Sequence, residues 1–286
     1  MNFNLKISLL TVTSIIGGTF INTTAVQAAT LAQSSTFLNL NNFSILPRNP
    51  DVDSNLKDIA FSGTSGIANA NSNGLAAFIF DDTFQFISQN FASRASGTGV
   101  NYFAFSQAES SIASILNINA NETLTFDFTA SLNISNLIEG FGSESISNFA
   151  GLSFFLIDNN TNNTLGFFRA IGNLDTNLAN NIDNDVLFAQ GSNSNVSFSG
   201  TRIASFGGNN EFGQINLTGS FQQFFANPTQ VRLVTSTLDR SCAQGRQTSD
   251  PCTKIPEPNS TVALILGLIS LSFFKRSTLN KLVSKY

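Results

Sequence analysis

The chain has 286 residues with 14 basic and 18 acidic side chains, and its aromatic residues are 29 Phe and 2 Tyr with no Trp. Histidine is absent and cysteine occurs twice, which excludes His-based triads, His-containing zinc sites, all-cysteine zinc sites and Cys-ligated iron–sulfur clusters. Residues 29–255 carry 17 acidic and 9 basic groups, a net of about −8 (9 − 17), which opposes association with nucleic acid.

The first 28 residues read as a secretory signal peptide. Lys6 supplies the positive start, 7–20 the apolar middle, and Val26-Gln27-Ala28 the small or tolerated residues before a cut. A retained membrane helix is the competing reading; Gly17-Gly18 and Asn22-Thr23-Thr24 favour cleavage. The body of the chain has enough Phe, Leu and Ile to fill a core despite its bias toward Asn, Ser and Thr. Residues 29–240 are expected to form one ectodomain, with 241–255 as a disulfide loop and linker.

Along that body, 36–40 is the expected opening strand. Residues 47–74, rich in Asn, Ser, Gly and Asp, are expected to be a long loop or a weakly ordered segment. Residues 75–80 and 84–87, flanking Asp81-Asp82, are expected to be short strands or a strand and a bend. Residues 102–118 hold one or two strands with Phe103 and Phe105 alternating, against a competing helical turn over 110–116.

The clearest strand is 122–134. There Leu124, Phe126, Phe128, Ala130, Leu132 and Ile134 alternate with polar residues, a period of two that buries one face. Asn119-Ala120-Asn121 is the turn before it. Residues 151–157 and 164–171 form the best hairpin candidate, joined by Asp158-Asn159-Asn160-Thr161-Asn162-Asn163. A longer loop at 173–185 precedes strands at 186–190, 196–206, 211–225 and 230–237. Short strands separated by polar turns predict an all-β fold, a β-sandwich of jelly-roll type.

Cys242 and Cys252 lie just after the last strand-like run and lack the spacing of a redox motif. In an exported setting they are expected to form one disulfide. Asp183-Asn184-Asp185, with Asp175 and Asn181 nearby, offers the oxygen ligands that Ca²⁺ prefers. It lacks the Gly and distant Glu of an EF-hand loop, so a solvated Asn/Asp loop is the favoured reading and no cofactor is expected. Asp81-Asp82 and Asp127 are candidate carboxylates for glycan hydrolysis, though Asp127 falls on the polar face of its strand.

The tail is organised differently. Pro256-Glu257-Pro258 breaks the preceding structure, 261–274 (TVALILGLISLSFF) is apolar and uncharged, and Lys275-Arg276 comes next with Lys281 and Lys285 behind. Fourteen residues make a helix of about 21 Å, short of a ~30 Å hydrocarbon core unless flanking residues extend it. A core helix or a plain membrane anchor is the competing reading. Breaker, apolar helix and basic end together resemble the PEP-CTERM sorting signal of exported bacterial proteins, over about the last thirty residues only.

The resemblance implies that 256–286 is a sorting signal with a single transmembrane helix, anchored in the membrane before processing. It implies an exosortase and the secretion machinery as partners, and delivery to the cell surface or outside the cell. Three functions are then in view. They are a non-catalytic surface or matrix protein associated with exopolysaccharide, a carbohydrate-binding module, and an extracellular glycan hydrolase. The first is the expected one.

Overall fold

The computed structural model describes residues 30–63, 66–80, 85–99, 101–139, 144–177, 185–192, 194–245 and 252. The first strands are β1 (Thr30–Asn41), β2 (Arg48–Ser62), β3 (Gly66–Phe80), β4 (Gln85–Gly99), β5 (Tyr102–Ile118) and β6 (Glu122–Ile138). After them come β7 (Ser145–Asp158), β8 (Thr164–Asn177), β9 (Val186–Gly191), β10 (Val196–Ser205), β11 (Asn210–Phe225) and β12 (Thr229–Gln244). Two six-stranded antiparallel sheets result, ordered β10-β11-β6-β1-β4-β3 and β2-β5-β12-β7-β8-β9. Packed face to face they make a β-sandwich.

The alternation in β6 does what it predicts. Leu124, Phe126, Phe128, Ala130, Leu132 and Ile134 are buried, while Asp127 on the opposite face is exposed. Phe126 and Phe128 meet Phe154 of β7 edge to face, at centroid separations of 5.3 and 5.2 Å. Phe168 of β8 lies 4.6 Å from Phe128, and Phe221 of β11 stacks on Phe126 at 5.1 Å. Rings offset in this way gain about 0.5–1.5 kcal/mol per pair beyond simple burial.

Turns form where side chains bond their own backbone. Asp158 Oδ1 accepts from the amides of Asn160 and Thr161, and Asn162 takes the left-handed conformation at φ 58° between β7 and β8. Between β5 and β6, Glu122 accepts from both the side chain and the amide of Asn119, and Asn121 is left-handed at φ 61°. These bonds hold the Asp158 and Glu122 carboxyls below their ordinary pKa.

Several expectations need correction. The stretch 47–74 is not a loop: β2 fills most of it, and β3 begins at Gly66. All of β2 is exposed, and it lies at the edge of its sheet, as β3 does in the other. An edge strand has one neighbour and needs little apolar burial, so its composition imitates a loop while the ladder to β5 supplies the structure. Pro50 sits where the register shifts between Arg48 and Asp51, the bulge that a proline tolerates in an edge strand.

Other strands outrun their predicted limits. Residues 102–118 form one continuous strand, without a helical turn at 110–116. Strand β4 runs on to Gly99, β8 to Asn177 and β12 to Gln244, so Cys242 belongs to a sheet rather than to a loop beyond it.

Candidate functional site

Strands β1 and β12 occupy central positions in their sheets, and each changes chemistry along its length. Facing inward, β1 presents Thr30, Ala32, Ser34 and Thr36, then Leu38 and Leu40. On the other sheet, β12 presents Val231 and Leu233, then Thr235, Thr237, Asp239 and Ser241. The polar portions meet. One end of the interior is therefore a phenylalanine core and the other a hydrogen-bonded hydroxyl network.

Thr36 Oγ1 donates to Asp239 Oδ2 at 2.5 Å, linking the sheets. The Ser93 hydroxyl bonds those of Ser34 and Ser241, at 2.9 and 2.8 Å. Ser241 also donates to Asn148 Oδ1 at 3.1 Å, and Asn148 Nδ2 donates to the carbonyls of Gln33 and Ser135. Thr30 and Tyr102 share a 2.5 Å hydrogen bond, and Gln89 Nε2 donates to Ser110 at 3.0 Å. At the same end, Thr176 donates to Glu211, which also accepts from the Gly207 amide.

Asp239 is the centre of this network. Enclosure raises its pKa to about 8, against the opposing effect of bonds from Thr36 and Ser34, so the carboxyl is neutral near pH 7. Burial also raises the Tyr102 phenol, although its bond to Thr30 acts the other way. A neutral acid closed to solvent among hydroxyls can register two sheets and satisfy polar groups. Asp239 is fully closed to solvent.

The candidates from sequence are dispersed. Cys242 and Cys252 are joined by a disulfide, Cα to Cα 5.7 Å, and both are buried beside Phe103. Asp185 Oδ1 accepts from the Asp175 amide at 2.9 Å, so this carboxylate ties the residue before β9 to β8. Asp183 lies outside the described residues, as do Asp81-Asp82, the signal segment 1–28, Pro256, Glu257, Pro258, Lys275 and Arg276. Among the described residues no group of three potential metal ligands comes together, and no helix is long and apolar enough to cross a membrane. Asp127 points outward from the β1 sheet and accepts from Asn42 Nδ2 at 2.7 Å.

Both outer faces mix polar and apolar side chains. On the β1 sheet one row reads Gln214, Asn133, Ser35, Ala92 and Asn73 across five strands, a small polar surface. The outer face of the β12 sheet instead carries Val234, Leu238, Phe149, Phe155, Phe167 and Ile171. Desolvation lowers the pKa of Arg232 and Arg240 on this same face, which marks them as partly withdrawn from water.

Sequence reasoning missed both Asp239 and the apolar outer face. Ending the last strand at residue 237 makes Asp239 look like a loop aspartate. The doublets Phe154-Phe155 and Phe167-Phe168 do carry a signal. Adjacent rings in a strand must point to opposite faces, so each doublet makes both faces apolar. Searches of protein-family models, curated proteins and solved structures find no match to the chain.

Proposed function

We propose that this is a non-catalytic protein of the cell surface or extracellular matrix, exported by its N-terminal segment and sorted by an exosortase acting on its tail. One observation carries the reading: Pro256-Glu257-Pro258, the uncharged run 261–274 and Lys275-Arg276 stand in the order of a PEP-CTERM signal. The basic pair would stay cytoplasmic while the apolar run enters the membrane. The exosortase, the secretion machinery and the membrane are then the partners of the tail. Exopolysaccharide is the proposed partner of the body, and no nucleic acid or cofactor is invoked. The folded part adds support of a general kind, since a disulfide suits an oxidising compartment. Deleting 256–286 tests the reading: the body should be released or change its processed mass, and an unchanged mass and location would contradict it.

Within this proposal the sandwich is a jelly roll. Strands β4, β1, β6 and β11 in one sheet and β5, β12, β7 and β8 in the other have the adjacency of two Greek keys, with the N-terminal strand completing the set. That order favours a second reading, a carbohydrate-binding module, by analogy of fold alone. Against it, Tyr102, the one tyrosine among the described residues, is fully buried and cannot serve as a sugar platform. Specific retention on a polysaccharide column would favour the second reading; passage in the void volume would leave the first.

A further inference from the structure

Strand β3 ends its sheet, so one side of its backbone has no strand beside it. Edge strands are commonly guarded by charges, proline or bulges, and β2 has all three. Strand β3 has none of them. Its 15 residues, GIANANSNGLAAFIF, hold no charge and no proline, and it pairs with β4 without a register shift.

One bond fixes which amides face the open side. The Ser72 amide donates to Asp58 Oδ2 of β2 at 3.1 Å, so it points away from β4. Amides alternate along a strand, hence those of Gly74, Ala76 and Phe78 face the open side too, while those of Leu75, Ala77 and Ile79 face β4. Asp58 closes the edge at Ser72 and the strand ends at Phe80, which leaves 74–80 open over about 24 Å. Along it Leu75 is 69 % and Ile79 40 % exposed, and their neighbours on β4, Asn90 and Phe86, are uncharged. An apolar, chargeless run with one unpaired side is a template for another strand.

We propose that 74–80 pairs antiparallel with the same stretch of a second copy, about a twofold axis at Ala77, joining two β1 sheets into one. The midpoint of the open stretch sets the register. Leu75 then meets the partner's Ile79, Ala76 meets the partner's Phe78, and Ala77 meets its own mate. Identical strands paired about a twofold axis are self-complementary, and a chargeless edge lets two acidic bodies touch without like charges at the contact. One strand pair is a small interface, so the dimer is reversible and tightens as salt screens the two bodies. The pairing does not rest on the sorting reading.

The test is oxidative crosslinking of the full chain, whose Cys242 and Cys252 are already bonded to each other. The Ala77 amide faces β4, so the two mates form a non-hydrogen-bonded pair with Cα atoms about 4.5 Å apart, within reach of a disulfide. Two copies of Leu75 stand four positions apart along the strands, about 14 Å, which is out of reach. Ala77→Cys should therefore give several-fold more covalent dimer than Leu75→Cys, although Leu75 is the more exposed. No dimer from Ala77→Cys, or as much or more from Leu75→Cys, would overturn the proposal; contact through the tails alone gives no such preference. Adding Ala76→Pro to Ala77→Cys removes an amide from the open side and leaves the ladder to β4 whole. The dimer yield should then fall several-fold while circular dichroism keeps its strand signature, and an undiminished yield would contradict backbone pairing.

Discussion

Asp239 shows how one side chain links fold stability to pH. Its pKa is about 8 in the folded protein and near 3.9 in an unfolded chain, so the native state holds a proton that the unfolded state has released. Stability is then greatest below about pH 4 for this group. It is lost as pH rises toward about 8, and changes no further above that. The melting temperature of the wild type should fall across this window. Asp239→Asn removes the titrating proton and keeps an acceptor for Thr36, so its profile should be flatter and the two proteins should diverge most above pH 8. Melting curves collected at intervals between pH 4 and 9 decide the matter. A wild-type Tm that climbs through that range would mean the carboxyl is ionised in the fold.

Elements are stabilised here by two separable means, packing and covalent closure. Phe154 is fully enclosed, with its ring edge against Phe126 and Phe128. Truncation to Ala should cost about 3–5 kcal/mol in denaturant melts. Phe224 on the outer side of β11 is 59 % exposed, and the same change there should stay within about 0.5 kcal/mol. Equal costs at the two positions would disprove the assignment of inner and outer faces. The Cys242–Cys252 bond closes a short loop off β12, worth about 2.5–3 kcal/mol by chain entropy. Replacing both cysteines by Ser should lower stability by that amount, while circular dichroism keeps its strand signature.

The elements also show what residue patterns can and cannot reveal. Strand β6 and the β7–β8 hairpin are legible because each has an apolar face and a turn with its own hydrogen bonds. Strands β2 and β3 are not, because edge strands draw their stability from neighbouring backbones, and Asn, Ser and Gly there look the same as in a loop. The end of β12 is hidden for a related reason. Thr235, Thr237, Asp239 and Ser241 keep the period of two but are polar, and a buried polar strand differs from a turn only through partners that come from distant sequence. The reading of the tail as a sorting signal rests on composition and order alone, and its residues lie outside the described ones.

At the scale of the whole molecule, the two sheets are joined at one end by rings and at the other by hydroxyls, and the outer face of the β12 sheet carries an apolar cluster of its own around Phe149, Ile171 and Leu238. The exposed edge strand β2 carries Asp51, Asp53, Lys57 and Asp58, charges that discourage another chain from adding to the sheet. Such a body is compatible with the proposed surface protein, in which targeting segments are proposed at both ends of the chain. The intact mass of the mature protein purified from its native host tests this most directly. The expected mass lacks residues 1–28, ends near Pro256-Glu257-Pro258 and reflects one disulfide. A mass that retains both termini would contradict export and sorting together.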